Sequence, residues 1–323
     1  MNHERLTGIL DLHYGLKTLH IETQPGGWSA LAFRVETTSR TVFLKVYDKR
    51  WASTPRWTKT IDVYIPVLQW MDQCTPLQNR LPQPVFTRRG GANVEDEQAI
   101  YLLYEYIEGS TIGDAPLNSL QVQTFAEITA ELHGLQRAQL PLPLSVEPLA
   151  LSYCVPYGRQ FGSLFREGNQ TWPQDLTDCL STYSDRILRL GDFVDEQGQI
   201  IAQLGLPTVL CHTDLHPWNL METSSGLVLI DWEGLAVAPL EADFMALIDR
   251  PYFEEFWETY CRQWPGTRLN SASLGYFRAR RVLEDLWELV ERVLVDQPAG
   301  SVRQNLLNDL QQALHELAPG PPC

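Results

Sequence analysis

The chain is short of positive charge, of paired cysteines and of long apolar runs, and each shortage excludes a class of function. Against 40 acidic side chains stand 25 lysines and arginines, a net charge of −15. No basic excess exists to neutralise phosphates, which argues against nucleic acid or an anionic membrane as partner. The six cysteines, at 74, 154, 179, 211, 261 and 323, show no C-x-x-C spacing. Free thiols in a reducing cytoplasm are therefore expected. No apolar run approaches membrane-spanning length, and the start Met1-Asn2-His3-Glu4-Arg5 does not read as a signal peptide. What remains is a chain of 323 residues, 44% hydrophobic, long enough to bury a large core in two lobes.

The most informative stretch is residues 209–233, VLCHTDLHPWNLMETSSGLVLIDWE. Two apolar runs, 209–211 and 227–230, flank a polar loop and a Ser-Ser-Gly turn, which favours two short strands. Each strand delivers a carboxylate just past its end, Asp214 and Asp231, with Asn219 between them. That set suits phosphoryl transfer from a nucleotide. The reaction needs a group to orient the attacking hydroxyl and accept its proton, and oxygen ligands to hold Mg²⁺ against the phosphates. Asp214 has the right type for the first task, Asn219 and Asp231 for the second. Capping and Asx-turns are the alternative reading of such residues beside a turn. A zinc site from Cys211, His212 and His216 lacks the second cluster that tetrahedral ligation requires.

The pattern His212-Thr213-Asp214-Leu215-His216-Pro217-Trp218-Asn219, followed by Ile230-Asp231-Trp232-Glu233, resembles the aminoglycoside phosphotransferase and choline kinase family. Cys211 to His216 and the 276–285 segment look most like its spectinomycin phosphotransferase branch. Fructosamine, homoserine, choline and methylthioribose kinases share the core motifs.

Upstream, residues 4–15 read as a short helix, and 18–23, 29–36 and 41–47 as strands. Gly26 and Gly27, with Trp28 and Ser29, sit in the first hairpin, where glycine lets backbone amides approach phosphate oxygens. An ordinary hairpin turn is the alternative. Lys45 stands inside the apolar run Phe43-Leu44-Lys45-Val46, where an unpaired ammonium is costly, so it calls for an anion. An edge-strand lysine with its head in water is the other reading. The next helix, 57–71 and interrupted by Pro66, offers Asp62 as the partner of Lys45, although the family usually has Glu there. Residues 81–86 and 99–104 read as further strands. Helices are expected at 120–135, at 176–204 with a break near Gly191, and at 253–264, 276–295 and 305–317. Asp243, in a helix beginning near Pro239, is expected to brace the catalytic loop through its backbone.

The resemblance implies an α+β, protein-kinase-like bilobal fold. A small antiparallel-sheet N-terminal lobe, residues 1–104, binds nucleotide, and a larger, mainly helical lobe, residues 105–323, carries catalysis and the acceptor. The linker falls at about 104–109. There the Glu105 carbonyl and the Ile107 amide pair with the adenine edge. It further implies that Lys45 holds the α/β-phosphates, that Asn219 and Asp231 bind Mg²⁺, and that Asp214 engages the acceptor hydroxyl. The donor is ATP, with GTP open. The acceptor is a small hydroxylated molecule, aminoglycoside- or aminocyclitol-like and cationic. Glu241, Asp249, Glu254, Glu255, Glu258, Glu284 and Asp285 are the pool an acidic pocket draws on. A metabolic kinase of a sugar, amino-alcohol or amino-acid hydroxyl is the alternative enzyme. A catalytically silent nucleotide-binding protein is the alternative from another class.

Overall fold

The computed structural model describes residues 2–25, 29–141, 149, 151–153, 155–166 and 172–317. Helix α1 (His3–Ile9) runs into a wider π turn, Leu10–Tyr14, which stops at Gly15 with φ 71°. Strands β1 (Thr18–Gln24), β2 (Leu31–Thr37), β3 (Thr41–Asp48), β4 (Val94–Glu95) and β5 (Ala99–Glu105) form an antiparallel sheet in the order β1-β2-β3-β5-β4.

Alternation along β3 explains how the sheet uses its two faces, because side chains two residues apart share a face. Val42, Leu44 and Val46 join Leu6 of α1 and Leu10 of the π turn, with Phe33, Val35 and Leu103, in one buried cluster. Phe43 and Tyr47 instead pack into a second cluster with Ile61, Tyr64, Ile65, Leu68 and Met71. Those five residues are the inner stripe of α3 (Ile61–Cys74), which follows the short α2 (Thr54–Thr58). Lys45 lies on this inner face. The same cluster continues through Phe125, Leu210, Leu215, Leu220 and Trp232, so one core joins the sheet to the catalytic stretch.

After Glu105 the chain crosses to the other half. Strand β6 (Gly109–Thr111) pairs with β8 (Leu220–Thr223), which pairs with β9 (Gly226–Leu229). Strand β7 (Val209–Cys211) pairs with β10 (Ala236–Ala238). The rest is helical: α4 (Ser119–Gly134), α5 (Tyr157–Arg166), α6 (Gln174–Ser181), α7 (Ser184–Leu204), α8 (Glu241–Phe244), α9 (Phe253–Gln263), α10 (Ser271–Glu291) and α11 (Gly300–Glu316). Asn118 and Gln121 cap α4 reciprocally, and the Asn270 side chain caps α10 by accepting from Ser273 N. Among the described residues no helix is long and apolar enough to cross a membrane.

Several sequence expectations are corrected here. Residues 81–86 make only an isolated bridge, Pro84 to Tyr104, because prolines 82 and 84 cannot donate to a ladder. The two strands expected to flank the catalytic loop are both found, as β7 and β9, and lie in different sheets. Pro66 lies inside α3 without ending it. The helical break falls between α6 and α7, and α7 passes straight through Gly191. That glycine serves a close approach: a Cβ there would lie 2.7 Å from the Gly158 Cα of α5. Gly191→Ala should therefore push the two helices apart and destabilise the protein by about 1–3 kcal/mol. A lower urea midpoint with an unchanged slope is the expected result. Ala at Gly8, which has open space around it, is the control.

Candidate active site

The loop leaving β7 is held in an unusual shape by buried polar groups. Thr213 has φ 70° and Asp231 has φ 65°, both in the left-handed region that L side chains avoid. Such residues cost about 1–3 kcal/mol each and persist only where their surroundings over-determine them. Asp243, on α8 and fully buried, accepts from the His212 and Thr213 amides. Its Oδ2 also lies 2.9 Å from His133 Nε2, and His133 Nδ1 is 2.9 Å from the Tyr260 hydroxyl. Thr213 Oγ1 donates to the Gly234 carbonyl at 2.8 Å, and a Cβ on Gly234 would sit 2.4 Å from that oxygen. The loop-bracing role expected of Asp243 is thus present in the geometry. His133, Cys211 and Asp243 bring possible ligand atoms within 4.8 Å of one another. Both nitrogens of His133 are already engaged, so the cluster is a brace.

His212 is buried, with Nε2 2.9 Å from the Ile230 carbonyl and Nδ1 3.3 Å from the Asp214 amide. Burial pushes its pKa down, so the neutral ring links the two carboxylate-bearing turns. Asp214 projects beyond it. Its Oδ1 accepts from Arg281 Nη1 at 2.8 Å and lies 3.2 Å from His216 Nε2, while its Oδ2 accepts from Asn219 Nδ2 at 2.9 Å. Burial alone would raise the Asp214 carboxyl. The His216 hydrogen bond and the Arg281 guanidinium outweigh that and hold it well below the ordinary carboxylate range. Asn219 also donates to the Asp214 carbonyl, and its Oδ1 has no hydrogen-bond partner among the described residues.

Across from this loop, Lys45 Nζ lies 2.6 Å from Asp231 Oδ1 and 2.6 Å from Glu233 Oε1. Burial lowers the Lys45 pKa, but the two carboxylates raise it well above its ordinary value. Tyr47, two residues along on the same strand face, donates its hydroxyl to Glu233. The structure therefore brings a buried ammonium, two carboxylates, an amide oxygen and a third carboxylate to the junction of the two halves. Oxygen donors of this kind suit a hard divalent cation such as Mg²⁺.

The remaining expectations fare differently. Asp62 is not the partner of Lys45. It lies on the exposed face of α3, because Tyr64 and Ile65 face the sheet, and it accepts from Asn93 Nδ2 at 3.1 Å. Glu233 takes the position expected of it. Gly26, Gly27 and Trp28 lie outside the described residues, and Ser29 is half-buried at the entry to β2. The Glu105 amide donates to the Gln83 carbonyl, and its side chain pairs with Arg40. Ile107 N has no hydrogen-bond partner among the described residues. Of the acidic pool, Glu241 is buried and accepts from Asn270 N and Ser273 Oγ, so it belongs to the α10 cap. Asp285 pairs with Arg281 and is half exposed.

Sequence reasoning missed Tyr47, Arg281 and the contact of His216 with Asp214. The two-residue spacing from Lys45 could have found Tyr47. No local signal connects Arg281 to a residue 67 positions away.

A family model described as "Phosphotransferase enzyme family" matches residues 20–270. No curated protein gives a significant match. Solved structures similar to the chain include spectinomycin phosphotransferase in complex with ADP and spectinomycin, at TM-score 0.71 and 17% identity, covering 97% of this chain and 96% of that one. A microcompartment-associated aminopropanol kinase gives 0.61 at 16% identity, over 97% and 95%. The choline kinase LicA of Streptococcus pneumoniae gives 0.52 at 17% identity, over 97% and 98%. At such identities the likeness shows the kinase-like fold, an antiparallel sheet in the N-terminal region with a helical C-terminal part.

Asp243→Ala should orphan buried donors, at about 1–3 kcal/mol each, and lower the urea midpoint substantially. Asp62→Ala should stay within about 0.5 kcal/mol of the parent, as expected of an exposed site. Equal unfolding midpoints for the two variants would contradict the bracing assignment.

Proposed function

Because the chain belongs to the phosphotransferase enzyme family, we propose that it transfers the γ-phosphoryl group of ATP to a hydroxyl of a small, cationic acceptor of the aminoglycoside or aminocyclitol kind. The observation carrying this reading is the convergence of Lys45, Asp231 and Glu233 beside the Asp214–Asn219 pair. Phosphoryl transfer asks of the protein mainly positioning and charge stabilisation. Lys45 is positioned to take the α/β-phosphates, giving up its present contact with the Asp231 carboxylate. Asp231 and Asn219 Oδ1 are the residues that would hold Mg²⁺. Bound there, the ion supplies charge neutralisation to the phosphate oxygens.

Asp214 orients the acceptor hydroxyl and takes its proton. The acceptor oxygen forms its bond to the γ-phosphorus as the bond to the ADP oxygen breaks. Buried Glu233, with Tyr47, keeps Lys45 aligned. The Ile107 amide is the proposed adenine contact at the linker, and the lobe boundary is placed at 104–105. The cationic acceptor is supported by the excess of acidic over basic residues and by half-exposed Asp285 close to Asp214.

The test is acceptor-dependent ADP release with Mg²⁺-ATP over a panel of aminocyclitols, amino-alcohols and neutral sugars. Release with a hydroxylated amine, abolished by chelating the metal, is expected. Asp214→Asn should lower kcat by about 10²–10⁴-fold while nucleotide affinity is kept. ATP binding without turnover on any member of the panel would instead favour a silent nucleotide-binding protein.

A further inference from the structure

Helix α10 places a guanidinium on the carboxylate proposed to receive the acceptor proton. Arg281 Nη1 donates to Asp214 Oδ1 at 2.8 Å, and its Nε lies 2.9 Å from Asp285 Oδ1, one turn further along the same helix. The helix that carries it is fixed at both ends. At its start, buried Glu241 accepts from Asn270 N and Ser273 Oγ. Toward its end, Glu288 and Glu291 meet Arg56 of α2, at 3.8 and 3.2 Å. The guanidinium is therefore presented by a rigid element, with a counter-charge of its own.

The acceptor sites of Asp214 can be counted. A carboxylate offers about four lone-pair positions, two on each oxygen. Those of Oδ1 are taken by Arg281 and by His216, 3.2 Å away. On Oδ2 one is taken by Asn219. One position remains, on Oδ2.

We propose that Arg281 is a positioning residue for the phosphotransfer: it occupies Asp214 Oδ1, fixes the carboxylate plane and directs the acceptor hydroxyl to Oδ2. This rests on the reading of Asp214 as the group that engages the acceptor. Arg281 itself forms no bond to the transferred group. A fixed carboxylate spares the reacting pair the orientational search that otherwise slows transfer. Of the groups around Asp214, His216 and the neutral ring of His212 come from the loop, and Arg281 and Asp285 from α10. With Arg281 gone, Oδ1 keeps only the His216 contact and the carboxylate can turn.

Arg281→Gln and Arg281→Lys should be compared with the parent in two measurements. In ATP turnover, with water and with the best amine of the panel as acceptor, Arg281→Gln should lower kcat by about 10–100-fold. Its nucleotide KM should stay within about twofold, with Arg281→Lys recovering part of the lost kcat. Separately, a crystal structure of Arg281→Gln should show the Asp214 carboxylate turned out of the plane in which Arg281 holds it. That measurement requires no activity, so it judges the Arg281 contact even if the parent proves unable to transfer phosphate. An unmoved Asp214 carboxylate, or wild-type kcat in Arg281→Gln, would overturn the proposal. So would a loss of kcat accompanied by an unfolding midpoint lowered in both variants, with no recovery of kcat in Arg281→Lys, which marks a purely structural role.

Discussion

The meeting of Lys45 with Asp231 and Glu233 is the interaction on which the arrangement of the site depends. An ammonium on the inner face of a central strand cannot remain there without compensation, since several kcal/mol of hydration are lost on burial. Glu233 is hidden still further, at 6% side-chain exposure against 12% for Lys45, whereas Asp231 keeps 39%. The difference divides their work. Glu233 is bound into the structure by Lys45 and Tyr47, and Asp231 retains a face toward solvent from which it can change partners. The pair also fastens the sheet to a turn almost two hundred residues later, so the two halves meet through charge exactly where a nucleotide phosphate chain has to lie in the proposed reaction.

Around that contact, backbone and side chains share one constraint. Thr213 and Asp231 both adopt positive φ, and each lies next to a turn whose carbonyl or amide is held by His212. The Thr213 hydroxyl ties the two turns together by donating to the Gly234 carbonyl, and Asp243 holds the first turn by accepting from the Thr213 amide. The strain and the site therefore coincide. Asp243 and His212, which hold the backbone, are buried, and the carboxylates proposed for chemistry, Asp214 and Asp231, remain partly exposed.

Much of this was legible in the sequence because it is local. The spacing of Asp214, Asn219 and Asp231 between apolar runs described one loop and its flanking strands. A lysine within Phe43-Leu44-Lys45-Val46 announced an anion before any fold was known. The identity of that anion was not legible. Asp62 had the right charge on the right helix, but its angular position on α3 turns it outward, and a helical stripe interrupted by proline did not settle that angle. Glu233 was visible beside Asp231, yet its pairing depends on how two distant segments dock. Arg281 lay beyond reach for the same reason. Gly191 illustrates the converse error: a residue that weakens isolated helices was read as a break, when close packing against Gly158 is what requires it.

Helix α8 is only one turn long, yet it touches both sides of the cleft. Glu241 at its first position closes the start of α10, and Asp243 two residues later grips the loop bearing Asp214. The wall that carries Arg281 and the loop it faces are thus coupled like two blades on one pivot. New acceptor preferences are accordingly easier to reach by exchanging side chains along α10 than by shifting the helix, because any shift would drag the loop with it.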